Sequence, residues 1–334
     1  LLIYIDIMNT ILIIAVSVLL LISNAHAQNN PKESRILGNK IGTVEKIFGG
    51  HAGNIMSINW SPDGTKVATS AEDGLAILWD AKSGIELFRL QGHTSWVTSI
   101  KWSPDGSKVV TSSIDNSAII WDATTGKKIF TLNEHNKEVF DVNWNPAGDK
   151  IATSSADGTA IIWNAKTGAT IFILSGHTNG IYKVHWSPDG RTIVTASRDF
   201  TSIVWNAETG KKMFTLNGYN YFVSDAVWSP DGTKIATIGR NENGVIIWDA
   251  ATGVQLTTFA KGHTGSGILS WSPDGKKVVI SGDYSPDIWD AVTGEKLFTL
   301  LGHTTSLINV SWSPDGRKIA SVGADSTLYI WNAD

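Results

Sequence analysis

The pentapeptide Trp-Ser-Pro-Asp-Gly begins at Trp60, Trp102, Trp186, Trp228, Trp271 and Trp312, and Trp144-Asn-Pro-Ala-Gly is a seventh, altered copy. A second tryptophan follows in every unit, at Trp79, Trp121, Trp163, Trp205, Trp248, Trp289 and Trp331, each time before Asp or Asn. Upstream stand His51, His93, His135, His177, His263 and His303, with Tyr219 in the fifth place. These starts lie 42 residues apart four times, then 44, then 40. A period of that size describes a supersecondary unit that cannot bury its apolar face alone and must stack on copies of itself.

Each unit divides into four short strand signals. In the second unit these are 97–102, 108–112, 118–121 and 128–132, rich in the Val, Ile, Thr and Trp that strands favour. Turn sequences separate them: Ser103-Pro-Asp-Gly, Ile114-Asp-Asn and Thr124-Thr-Gly. Beyond the first 27 residues no window has a helical apolar period.

Four strands per unit, a Gly-His start and a Trp-Asp end resemble the WD-repeat β-propeller family. The resemblance covers residues 43–334. It implies an all-β, seven-bladed propeller of four-stranded antiparallel blades. The last unit stops at Trp331-Asn-Ala-Asp after three strands, and 43–48 is the strand left over. The family closes its ring by adding such an N-terminal strand to the last blade, so deleting it is expected to open the ring.

Once the repeat is subtracted, little chemistry is left. Fourteen of the fifteen Trp hold the two repeat positions and read as blade packing; Trp96 does not. The Gly-His histidines belong to different blades and cannot converge on one metal ion. The composition Thr, His, Asp evokes a hydrolase triad, but it recurs with Thr69/Asp73, Thr111/Asp115, Thr153/Asp157 and Thr195/Asp199. The resemblance implies a buried hydrogen-bond relay in each blade instead, through His51 and Asp73, His93 and Asp115, His135 and Asp157, His177 and Asp199, and His303 and Asp325. Tyr219 in the fifth unit, and the missing Thr in the sixth, leave those two relays open. No Cys, phosphate loop or nucleophile motif is present, and no cofactor or metal is expected.

Function is then expected where the units differ. Two register positions sample the face that binds partners in this family, three residues past the His and just before the relay Asp. Aromatics and Arg near them gather in units two to five: Trp96, Phe140, Tyr182, Arg198, Tyr221, Phe222 and Arg240. These are hot-spot residue types, and they are taken as the patch for a protein or peptide partner. Phe140 and Tyr182 also fit a core reading. With 27 Lys+Arg against 31 Asp+Glu, the chain has no basic excess for nucleic acid.

The first residues read as an address. Residues 11–22 are almost wholly apolar and Ala25-His26-Ala27 follows, which predicts a signal peptide over 1–27 and a polar lead-in over 28–42. Twelve apolar residues are short of the roughly 20 that span a bilayer. Residues 1–10 lack Lys and Arg and carry Asp6, so a retained anchor is the other reading; Met8 offers an internal start. The leader and the Pro-Asp-Gly turns suggest a bacterial protein, periplasmic or secreted, acting as a non-enzymatic, monomeric scaffold. One alternative is a hydrolase or lyase with its site in the central channel, for which Glu72, Glu138, Arg198 and Arg240 are the scattered candidates. Another is an envelope subunit resembling the Tol-system periplasmic propeller.

Overall fold

The computed structural model describes residues 44–48, 50–239, 244–262, 267–324 and 328–333. The expected leader over 1–27 and lead-in over 28–42 lie outside these residues, as do Arg240, His263 and Asp325.

Seven four-stranded antiparallel sheets follow one another along the chain, and no helix occurs among the described residues. In six of them the four strands are consecutive in sequence, as in the second blade, Val97–Trp102, Lys108–Ser113, Ala118–Asp122 and Lys128–Leu132. The seventh is completed by Val44–Phe48, which pairs antiparallel with Leu328–Asn332. The outermost strand of the last blade is thus the first of the described strands, and closure leaves short strand edges.

The core is distributed. Each of the seven apolar clusters lies between two neighbouring blades, for example Leu78, Leu90, Ile100, Trp102 and Trp121 between the first two. The cluster of Ile58, Trp60, Ile77, Val322 and Ile330 joins the last blade to the first. The repeated tryptophans supply the bulk of these seams, at about 150–250 Å² of surface each. In blades two to five the first Trp also donates its indole N–H to the innermost strand of the preceding blade: Trp102 to the Asn59 carbonyl at 3.2 Å, and Trp144, Trp186 and Trp228 to those of Lys101, Asn143 and His185 at 3.3 Å each.

The glycine of Gly-His has a steric cause at two clear positions. A Cβ at Gly92 would stand 2.8 Å from the ring edge of Trp121, and one at Gly302 would stand 2.7 Å from that of Trp331. The turn after each inner strand is held by its own side chains. Ser61 donates to Asp63 at 2.6 Å, and the Lys66 N–H closes back on Ser61 Oγ at 2.8 Å.

Candidate interaction face at one mouth of the ring

The relay builds the loops of this face. In the second blade Trp121 Nε1–H donates to Thr111 Oγ1 at 2.8 Å, the Thr111 hydroxyl meets His93 Nε2 at 2.8 Å, and His93 Nδ1–H donates to Asp115 at 2.9 Å. The same chain runs through Trp79, Thr69, His51 and Asp73 in the first blade. It recurs through Trp163, Thr153, His135 and Asp157, and through Trp205, Thr195, His177 and Asp199. In the last blade Trp331 and His303 meet at Ser321, at 2.7 and 2.8 Å. Burial pushes the Asp115 carboxyl up, but bonds from His93, Ser117 and the Thr94 N–H outweigh it and hold it well below the usual range.

The two irregular blades show what the relay positions require. In the fifth, Tyr219 is buried, and its hydroxyl donates to the Thr237 carbonyl at 2.7 Å. Trp248 still donates to Thr237 Oγ1 at 2.7 Å. Gly239 makes room, since a Cβ there would stand 2.8 Å from the Tyr219 ring. In the sixth, Ile280 replaces the Thr, and the buried Trp289 indole nitrogen has no hydrogen-bond partner among the described residues.

The relay reaches the surface through two backbone ties. Asp115 also accepts the Thr94 N–H at 3.0 Å, and the Ile114 N–H donates to the Trp96 carbonyl at 3.1 Å. The equivalent bond joins Arg198 N–H to the Gly180 carbonyl at 2.9 Å. The two register positions sampled from the sequence are therefore hydrogen-bonded neighbours, set side by side in the first four blades and the last.

A second device aims side chains into the mouth. In six blades the innermost strand skips a register step after its first residue. The residues passed over are Met56, Thr98, Phe140, Tyr182, Ser224 and Ile308. A bulged residue is freed from the ladder and re-aimed, and all six line one cavity of about 560 Å³. Trp96, Ile114, Phe222 and Ile268 line it as well.

Of the predicted patch, Trp96, Phe140, Tyr182 and Phe222 come together around this opening. Trp96 is 45% exposed, and Phe140 and Tyr182 are half-buried, at the mouth and not in the core. The rings form a continuous band: Phe140 to Tyr182 at 5.6 Å, Tyr182 to Phe222 at 5.4 Å, and Phe222 to Tyr221 at 4.5 Å between centroids. Arg198 lies over Tyr182 at 4.8 Å and Phe140 at 5.5 Å.

Sequence reasoning missed two groups. Phe200 ends the band, stacked on Tyr221 at 6.1 Å and 9°. It is 44% exposed and sits at φ 74°, where the equivalent positions are Gly74, Asn116 and Gly158. A bulky residue in that region costs about 1–3 kcal/mol. Its signal was a Phe in a place the first three units give to Gly or Asn. The other group is the charged lining of the channel, Lys101, Lys183, His185 and Asp225, with the buried Asp141 beside it. Lys183 pairs with Asp141 at 3.5 Å, and His185 Nε2 lies 3.3 Å from Asp225. Asp141 also accepts the Val184 N–H at 3.3 Å, and Asp225 the Leu269 N–H at 3.0 Å, each from the next blade. These acids tie blade to blade. Glu72, named for a channel site, instead accepts from Asn54 at 3.0 Å. No group of three or more acidic or His side chains is placed to hold a metal ion, among the described residues.

The WD domain, G-beta repeat model matches residues 42–80, 84–122, 126–164, 168–206, 210–249 and 294–332, more than half of the chain. The chain belongs to the WD-repeat family. The matches pass over 250–293, which holds the blade whose Trp289 lacks its Thr partner. WD repeat-containing protein 38 of Homo sapiens is 45% identical over 47 residues, 14% of this chain and 15% of that protein. The similarity thus spans a small part of that relative, about one repeat.

Proposed function

We propose that this WD-repeat ring is a non-enzymatic scaffold that binds a protein or peptide partner at the aromatic mouth. The observation that carries the reading is the convergence of Trp96, Phe140, Tyr182 and Phe222 from four blades on one opening, with Tyr221 and Phe200 extending it outward. Aromatic side chains offer large contact area at low entropic cost, and they dominate interface energetics. The channel acids are engaged in ties between blades, which favours a structural role for them over catalysis.

The test is affinity capture with the wild-type protein and a Trp96→Ala/Phe222→Ala double variant, read by mass spectrometry. A partner retained by wild type and lost by the variant is expected, with a Tm shift of a few degrees at most. A partner held equally by both, or a variant that no longer folds, would remove the mouth as the site.

The same proposal places the protein in the bacterial periplasm or outside the cell. The apolar run 11–22 before Ala25-His26-Ala27 supports it. N-terminal sequencing of protein recovered from periplasm and medium should begin at Gln28. Recovery from the cytosol alone, with 1–27 attached, would sink the export reading.

A further inference from the structure

Arg198 stands at the mouth with no ionic partner among the described residues. Its Nε–H donates to the Tyr182 hydroxyl at 2.7 Å, and its guanidinium lies over the Tyr182 and Phe140 rings. Its backbone N–H is fixed to Gly180 at 2.9 Å. The side chain is nonetheless exposed. The neighbouring acid Asp199 is occupied by His177, the Thr178 N–H and the Thr201 hydroxyl. Lys183, the other cation at the mouth, is paired with Asp141. Two blades further round, Asp283 lines the same opening.

An arginine whose Nε–H is already engaged and whose guanidinium sits over aromatic rings presents its terminal nitrogens as a planar fork, which matches a carboxylate in geometry and charge. Much of the entropic cost of ordering that side chain is met before any ligand arrives. The Tyr182 and Phe140 rings lie within 5.5 Å of it. Resting on the reading of the mouth as a partner site, we propose that Arg198 is its anion receptor. The partner segment carries an Asp or Glu carboxylate within two residues of a large apolar side chain. The apolar group enters among Trp96, Phe140, Tyr182 and Phe222, and the carboxylate takes the Arg198 fork, away from Asp283.

Selection of a random dodecapeptide phage library on the full chain tests this. Enriched peptides should place Asp or Glu within two positions of an aromatic or large aliphatic residue. The commonest peptide, titrated by fluorescence anisotropy, should bind Arg198→Gln at least tenfold more weakly and Arg198→Lys several-fold more weakly. Replacing its acid by the amide should weaken wild type by a similar factor and leave Arg198→Gln little changed, the signature of a direct pair. Basic or uncharged consensus peptides, no enrichment, or acidic peptides that bind Arg198→Gln as well as wild type would each overturn the proposal. Peptides lost with Phe222→Ala but kept by Arg198→Gln would leave the aromatic mouth standing and remove only the carboxylate. Peptides indifferent to Trp96→Ala/Phe222→Ala would remove the mouth itself.

Discussion

One oxygen of Asp115 takes both the Nδ1–H of His93, at 2.9 Å, and the N–H of the adjacent Thr94, at 3.0 Å. The loop that carries Trp96 is therefore anchored to the core of its blade by the relay. His93→Ala would leave Thr111 and Asp115 short of a buried partner, at a cost of about 1–3 kcal/mol. It should also free the Trp96 loop, visible as faster amide exchange at Ile114, whose N–H bonds to the Trp96 carbonyl. Unchanged stability in chemical denaturation would contradict the buried relay.

Phe200 gives the opposite kind of test. Its left-handed backbone stores about 1–3 kcal/mol of strain that glycine does not feel. Glycine gives back about 0.5–1 kcal/mol in unfolded-state entropy. Phe200→Gly should thus leave Tm unchanged or slightly raised, although it removes a large side chain stacked on Tyr221. A loss above about 1 kcal/mol would show that Phe200 is held for packing and not for what it presents.

Acid should unfold the ring through its aspartates. Burial raises the carboxyls of Asp73, Asp115, Asp157 and Asp199, but their hydrogen bonds, among them those from the paired histidines, lower them further than burial lifts them. The turn residues Asp63 and Asp105 are lowered to about 2, chiefly by the Ser61 and Ser103 hydroxyls. A carboxyl lowered on folding stabilises fully above its unfolded pKa of about 3.8–4 and loses that contribution as pH falls toward its folded value. His51 is lowered as well, by burial, so its contribution is complete above about pH 6.5 and declines below it. Urea midpoints should fall mildly from pH 7 to 5 and steeply below pH 4. A midpoint that holds from pH 5 to pH 2.5 would contradict the assignment.

Removing residues 44–48 should cost far more than trimming a terminus. It strips the strand paired with Leu328–Asn332 and bares a sheet edge open to pairing with other chains. A marked fall in Tm with concentration-dependent association is expected in calorimetry and light scattering. An unchanged, monomeric transition would mean that the ring does not depend on this strand.

The blades were legible in the sequence because the repeat marks every turn and both tryptophans, and because the unit cut short at Trp331 announced the strand it borrows. Trp96 and Phe222 were legible as departures from register. Phe140 and Tyr182 were ambiguous for a physical reason. Alternation along a strand predicts which face a residue takes, but the bulge after Val139 and after Ile181 breaks that alternation at those two residues. The channel charges were hidden differently. Asp141, Lys183 and Asp225 occupy one register position in three successive blades, and their meaning lies between blades rather than within a unit. Arg240 and Asp325, both named from the sequence, lie outside the described residues.

The bulge has one more consequence. Met56, Thr98, Phe140, Tyr182, Ser224 and Ile308 stand outside the ladder register that holds their strands in place. Exchanging Met56, Phe140 or Ile308 alters what the opening presents without removing a ladder bond, whereas Thr98 and Ser224 also bond to backbone carbonyls and Tyr182 to Arg198. The ring thus carries settings around a fixed frame, and a new specificity could be written there one side chain at a time.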